Sequence, residues 1–101
     1  MRVKHASISL EAEADIDRIA AYTTNAWGGR QTDRYLDQLE SFFQILAQNP
    51  SIGRPCDSIQ AELRRFEVGK HVVFYVIEPD GVLIVRVLHQ QMIPAKSHFD
   101  H

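Results

Sequence analysis

The sequence predicts an α+β fold in which a short N-terminal strand and an α-helical hairpin pack on a small antiparallel β-sheet. Apolar, largely β-branched runs at residues 72–77 and 82–88 are bounded by turn residues, which is typical of neighbouring strands. Before them, residues 10–48 repeat apolar side chains at intervals of three and four, which is typical of amphipathic helices. A chain of 101 residues has room for one core, so we expect a single domain over residues 1–101.

The composition excludes several classes of protein. With 45% hydrophobic and 24% charged residues the chain is typical of a globular domain. A single cysteine, Cys56, excludes an internal disulfide and favours a reducing compartment. The net charge of −2 and pI of about 6.2 argue against a protein that grips nucleic acid alone, because binding phosphates requires a basic excess. No apolar run approaches the roughly 18 residues of a membrane span, and we expect a cytoplasmic protein.

The first elements are predicted from a cap and a helical repeat. Residues 2–8 alternate weakly and are predicted to form a short strand. Ser9 is a suitable N-cap, and the acidic residues that follow it favour the positive end of a helix dipole. The apolar spacing predicts a helix over residues 10–26, which ends before Gly28.

The second helix has the most regular pattern in the chain. Apolar side chains with i, i+3, i+4 and i+7 spacing predict a helix over residues 30–48, which ends before Pro50. Since the link to the first helix is short, the two should form an antiparallel hairpin that covers the sheet. Residues 49–62 are predicted to be a loop, and the segment after His89 an irregular tail.

The pairing of the last two strands separates the two faces of the sheet. If residues 78–81 form the loop, Tyr75 lies opposite Ile84 and Val73 opposite Arg86. The face predicted to be the core under the hairpin is apolar apart from His89 at its end, and it carries Val72, Phe74, Val76, Leu83, Val85 and Val87. The other face, predicted to be exposed and functional, carries His71, Tyr75 and Arg86 among apolar residues.

The register of the preceding strand depends on the length of one turn. A three-residue loop at residues 68–70 places Arg65 on the exposed face and Phe66 in the core, whereas a two-residue loop reverses them. We favour the three-residue loop because it buries the phenylalanine.

The residues that could carry chemistry form one set. Five histidines lack metal-binding spacing, Cys56 has no catalytic signature, and acidic residues such as Asp15 and Asp17 are interpreted as a solvated helix face. We therefore predict no metal and no cofactor. The remaining set is Arg65, His71, Tyr75 and Arg86, with Arg64 and His89 nearby. Such residues could cleave RNA without metal, but we favour a structural or partner-binding role.

The chain resembles the ParE toxins of type II toxin–antitoxin operons, which share the RelE/ParE superfamily fold. The matching residues are Asn49, Pro50, Gly53, Arg54, Pro55, Asp57, Leu63, Arg64, Phe66, Gly69, His71, Phe74, Tyr75, Ile84, Arg86, Val87, Leu88, His89 and Met92. The order of elements agrees as well, and the resemblance spans nearly the whole chain.

The resemblance implies a toxin that is neutralised by a ParD-like antitoxin encoded beside it, in a hetero-oligomer that contacts operator DNA only through the antitoxin. ParE-like toxins generally poison DNA gyrase and are not enzymes. The alternative is the RelE branch, whose members cut messenger RNA in the ribosome with a dense basic set that this acidic chain does not match. A third possibility is a binding module that keeps the fold without toxicity.

The residues expected to contact the target or the antitoxin lie on the exposed sheet face and in the tail. They are Arg64, Arg65, His71, Tyr75, Arg86, His89 and Met92. Trp27 and Phe99 are candidate aromatic anchors, and we assign no catalytic residue. Where ParE-like toxins often have an acidic residue after Met92, this chain has Ile93 and Pro94.

Overall fold

The computed structural model describes residues 4–92 and shows two helices packed on one face of a five-stranded sheet. The elements are β1 (His5–Ile8), α1 (Leu10–Trp27), α2 (Gly29–Gln48), a 3₁₀ turn (Pro50–Ile52), β2 (Arg54–Pro55), β3 (Arg64–Val68), β4 (His71–Glu78) and β5 (Gly81–His89). The strand order is β1-β5-β4-β3-β2. The predicted α+β fold is confirmed, and the sheet is mixed because β1 runs parallel to β5.

Both helices begin and end within a residue of their predicted limits. The Ser9 hydroxyl oxygen accepts the Ala12 N–H at 3.0 Å and its proton goes to the Val85 carbonyl at 2.8 Å. This cap fixes the start of α1 against β5. Gly28 ends α1 with a φ of 90°, a conformation that glycine adopts without strain, and α2 starts at the next residue. In the described part of the chain, neither helix has the length and apolarity of a membrane span.

The register of β4 and β5 changes at a β-bulge. Near the turn, Tyr75 lies opposite Ile84 as predicted. Val85 is then an extra residue, and Arg86 lies opposite Phe74. The predicted pairing of Arg86 with Val73 is therefore wrong, because a bulge adds one residue to a single strand and leaves no mark in an alternating pattern.

The helical hairpin covers the face that the sequence predicted to be exposed. The core beneath the helices includes Val73, Tyr75 and Ile84 from the sheet. The opposite, predicted core face is covered by the loop after β2. Side chains of this loop and of β4 and β5 form a second apolar cluster, which consists of Cys56, Leu63, Val72, Phe74, Val85 and Leu88. The prediction was wrong because both faces of the central strands are apolar and both are covered.

The turn between β3 and β4 has two residues, since Val68 pairs directly with His71. The predicted three-residue loop is therefore wrong. Phe66 nevertheless packs under the helices, with its ring 5.6 Å from that of Phe42, and Arg65 lies on the opposite face. A change of one residue in the loop and an exchange of the core face each move a side chain to the other side of the sheet. The two errors together therefore leave Phe66 under the helices and Arg65 on the other face, as predicted.

Candidate partner-binding groove

A groove of about 870 Å³ lies between the tip of the helical hairpin and the end of the sheet where β4 begins and β5 finishes. We call it the hairpin-tip groove. It is lined by Asp15, Arg18, Ile19, Tyr22, Thr23, Trp27, Gln31, Tyr35, Gly69, Lys70, His71, Arg86, Val87, Leu88, His89, Gln91 and Met92. It therefore brings together four sequence-predicted site residues from the sheet and tail with the aromatic anchor predicted on α1.

The helical wall of the hairpin-tip groove continues the buried stripe of α1. Ile19 is buried against the sheet, and Tyr22 and Trp27 follow it on adjoining parts of the helix surface. Both aromatic side chains are 72% exposed. The C-terminal half of α1 thus leaves two large aromatic groups in solvent, an arrangement typical of protein interaction sites.

His71 and His89 form a cross-strand pair on the floor of the hairpin-tip groove. Their ring centroids are 5.4 Å apart in an edge-to-face arrangement. The Tyr35 hydroxyl donates to the Val68 carbonyl at 3.1 Å and lies 2.5 Å from Nδ1 of His71. Because the hydroxyl has one proton, His71 donates from Nδ1 to the tyrosine oxygen. Burial and the neighbouring His89 lower the pKa of His71, so the ring is neutral at pH 7.

Arg86 faces the hairpin-tip groove but is held by a buried carboxylate on α1. Its Nε and Nη2 donate to the two oxygens of Asp15 at 2.7 and 2.8 Å, and the Val87 N–H donates to the same carboxylate at 2.9 Å. Burial alone would raise the pKa of Asp15, but these hydrogen bonds hold it below its usual value. The prediction that Asp15 lies on a solvated helix face is wrong, since it is 3% exposed.

Tyr75 lies in the core, so its predicted place on the exposed face is wrong. The side chain is 0% exposed. Its hydroxyl donates to the Pro50 carbonyl at 2.7 Å and accepts the Gly53 N–H at 2.9 Å. The predicted site residue Arg64 bonds the other backbone group of Gly53, since its Nη2 donates to the Gly53 carbonyl at 2.6 Å. Both residues therefore fasten the segment after α2 to the sheet.

Arg65 lies on the other side of the sheet from the hairpin-tip groove. Its guanidinium carbon is 5.8 Å from the centre of the Phe74 ring, and Nη2 is 3.3 Å from the Glu67 carboxylate. Arg54 forms a second ion pair with the same carboxylate. The cationic side chains on this face are thus partly neutralised by Glu67.

The set proposed for metal-free RNA cleavage does not converge. Tyr75 is in the core, Arg65 is on the far face, and only His71, His89 and Arg86 share the hairpin-tip groove. Met92 lies at its rim and is 43% exposed, whereas Phe99 lies outside the described residues. Within residues 4–92, no three or more histidine, cysteine, aspartate or glutamate side chains are grouped so that they could hold a metal ion.

Several residues of the hairpin-tip groove were not predicted from the sequence. Tyr22 could have been found, because it follows Ile19 by three positions on a helix with a known apolar stripe. Asp15 falls between buried Ala12 and Ile19 at helical spacing, which also marks it as inward-facing. Lys70 gave no such signal, since a lysine in a turn is usually only a solvated residue.

Comparison with known proteins identifies the family. The family model described as "ParE toxin of type II toxin-antitoxin system, parDE" matches residues 6–94. Toxin ParE1 of Caulobacter vibrioides is 38% identical over 91 residues, which cover 90% of this chain and 93% of that protein. Toxin ParE1 of Mycobacterium tuberculosis is 38% identical over 86 residues, covering 84% of this chain and 88% of that protein.

A solved structure shares the fold. It is described as the chromosomal ParDE TA system from P. aeruginosa, and it aligns with a TM-score of 0.72, covering 86% of this chain and 96% of that chain at 16% identity. This similarity shows the shared fold, whereas the sequence matches support the assignment to a family. On the family model and the 38% identity of its relatives, the chain belongs to the ParE toxin family of type II toxin–antitoxin systems.

Proposed function

We propose that this ParE-family toxin poisons DNA gyrase by stabilising the complex of the enzyme with cleaved DNA, and that a ParD-like antitoxin neutralises it. Family membership supports both parts of the proposal. Gyrase acts on the chromosome, so the site of action is the cytoplasm. The toxin binds its target and does not itself cut a nucleic acid.

The non-enzymatic proposal is supported by the hydrogen bonds of two polar side chains, Arg86 and Tyr75. In the set considered for metal-free RNA cleavage, Arg86 and Tyr75 would have to aim a guanidinium and a hydroxyl at the scissile phosphate. The Arg86 guanidinium instead donates to the carboxylate of Asp15, and the Tyr75 hydroxyl forms hydrogen bonds with two backbone groups within the core. Both groups are thus committed to the fold, which favours a binding protein over a nuclease.

The test is a pair of assays with the purified full chain. With gyrase and supercoiled plasmid, we expect nicked and linear DNA to accumulate, while messenger RNA in a cell-free translation reaction stays intact. Cut message with untouched DNA would favour the ribosome-dependent endoribonuclease instead. If neither assay responds and induced expression leaves growth unaffected, the chain is a non-toxic member of the family and the proposal is wrong.

A matched pair of variants tests the face that engages gyrase. Arg65 lies on the sheet face away from the helices, and Arg34 is exposed on α2 outside the hairpin-tip groove. We expect Arg65→Ala to reduce DNA cleavage and Arg34→Ala to leave it unchanged. Equal activity of the two variants would remove Arg65 from the target-binding face without affecting the assignment of gyrase as the target.

A further inference from the structure

The two edges of the sheet differ in how well they are protected from pairing with another strand. β2, at one edge, consists of Arg54 and Pro55, a charged residue and a residue without an N–H, which are typical protections of an edge strand. β1, at the other edge, lacks both, since residues 6–10 contain no charged residue and no proline. The edge of β1 is therefore the one that can accept a further strand.

The backbone of β1 points alternately toward β5 and away from it. The N–H groups of His5 and Ser9 donate to backbone carbonyls on the β5 side, at 2.8 and 3.0 Å. Because a strand alternates, Ala6 and Ile8 direct both their N–H and their C=O groups away from β5. Among the described residues, no other strand lies on that side of β1. The outward groups of Ala6 and Ile8 thus form a short template for strand pairing.

A cavity of about 250 Å³ opens between this edge and the helices. We call it the edge cavity. It is lined by Ala6, Ile8, Ile16, Leu36, Leu39, Glu40, Phe43 and Gln44, and is therefore mainly apolar. Ile8 is 38% exposed beside it. A strand added at the β1 edge could fill the edge cavity with an apolar side chain from its helix-facing side.

We propose that β1 pairs antiparallel with β1 of a second copy, about a two-fold axis at Ser7. In this register Ala6 lies opposite Ile8 of the second copy, and each such pair exchanges two N–H···O bonds. Residues opposite each other share one face of a sheet, so Ile8 of the second copy enters the edge cavity beside Ala6. The two sheets become one continuous sheet with two-fold symmetry. The inference goes beyond the proposed function and does not depend on it.

The charges at the two ends of β1 favour a second copy in this direction. Lys4 directly precedes β1, and the first turn of α1, just after it, carries Glu11 and Glu13. In an antiparallel pair the cation of each copy comes close to the carboxylates of the other. Parallel pairing would bring like charges together instead. The β1 segment is therefore complementary to itself in the antiparallel direction.

Sedimentation equilibrium of the full-length protein over a range of concentrations measures the association. We expect a monomer–dimer equilibrium. Ile8→Lys should weaken dimerisation by about tenfold or more, because it places a charge in the edge cavity of the other copy. Ile45→Lys is the matched control, since Ile45 is 41% exposed but does not line the edge cavity, and this variant should dimerise as the wild type does.

Ser7→Cys tests the position of the axis and keeps the test decisive if Ile8→Lys fails to fold. Ser7 is exposed on the sheet face away from the helices. In the proposed register its Cα lies about 4.5 Å from that of Ser7 in the second copy, a separation that a disulfide spans. Mild oxidation should link Ser7→Cys into a covalent dimer. Ser41→Cys, which changes an exposed serine on α2, should stay unlinked, as should the wild type with its buried Cys56.

Exchange of the Ala6 and Ile8 amide protons, followed by NMR, identifies what lies on the edge. In the proposed dimer both are protected, and the protection grows with protein concentration. A monomer in which they exchange rapidly has an open edge, and a monomer in which they are protected has its edge covered by another segment of the same chain. Either result overturns the inference.

A dimer that forms through another surface would also overturn the inference. It would be equally stable in Ile8→Lys and Ile45→Lys, and oxidation of Ser7→Cys would leave it without a covalent link. The gyrase and translation assays give their results independently of these outcomes. A failure of the β1 pairing is therefore distinguishable from a failure of the proposed function.

Discussion

Arg86 on β5 and Asp15 on α1 are 71 positions apart and form a largely buried two-point ion pair, with the guanidinium Nε and Nη2 at 2.7 and 2.8 Å from the two carboxylate oxygens. The carboxylate also accepts the Val87 N–H, so one side chain bonds both the backbone and the side chain of β5. This contact joins the first helix to the strand at the place where the β-bulge interrupts the ladder.

Arg86→Ala should destabilise the fold by about 3–5 kcal/mol, because it leaves Asp15 as a buried carboxylate without its main counter-ion. Urea unfolding followed by circular dichroism gives the free energy. The control is Arg18→Ala, which removes the other partner of Asp15 from a side chain that is 66% exposed and should cost under about 1 kcal/mol. A loss below that value for Arg86→Ala would mean that water or another group replaces the pair.

Stability should fall as the pH is lowered through the range in which His71 titrates. Its folded pKa lies below the ordinary histidine value of 6.5 because of burial and of His89, while Tyr35 and Lys70 offer no negative charge to offset this. The unfolded chain therefore takes up the proton first, so this contribution is complete above about pH 6.5 and is lost as the pH falls toward the folded pKa. Unfolding measured between pH 8 and 5 should show a shallower slope for His71→Gln. An equal slope in both proteins would show that folding does not lower the pKa of His71.

Tyr75→Phe should cost about 1–3 kcal/mol, although it removes a single oxygen from a side chain that is 0% exposed. The loss leaves the buried Gly53 N–H without its acceptor and the Pro50 carbonyl without its donor. Tyr22→Phe, which removes the same atom from a side chain that is 72% exposed, should change stability by less than about 0.5 kcal/mol. Thermal unfolding of the two variants makes the comparison, and similar melting temperatures would contradict it.

Helix limits and the order of elements could be predicted because each depends on local chemistry. Ser9 caps α1 and Gly28 ends it, and both signals lie beside the residues that they control. The side of the sheet that the helices cover could not be predicted in the same way. Val73 and Val72 point to opposite faces and are 0% and 4% exposed, so the strand has no polar face that marks the solvent side.

The candidate site was harder to predict because a charged residue can either lie exposed for a partner or form a buried ion pair within the fold. Arg86 was interpreted as the mark of an exposed face, yet its partner Asp15 is distant in sequence and is buried with it. Trp27 was predicted as an anchor and lies exposed in the hairpin-tip groove. Tyr22 and Tyr75 are both tyrosines, yet Tyr22 is exposed in the groove and Tyr75 is in the core. Residue type alone does not separate these cases, since only the tertiary partners decide them.

Gly81→Ala should detach β1 from the sheet. Gly81 has a φ of +143°, and a Cβ at this position would lie 1.8 Å from the His5 carbonyl oxygen, a backbone atom that cannot move without breaking the β1–β5 pairing. We expect a loss of more than about 2 kcal/mol, since strained backbone and a steric clash act together. Gly29→Ala is the matched control, because its Cβ meets nothing within 4 Å and alanine favours the first turn of α2, so stability should rise by up to about 1 kcal/mol. Hydrogen exchange would localise the Gly81→Ala effect to the amides that bond β1 to β5, and protection there equal to that of the wild type would show that the strand shifts to accept the methyl group.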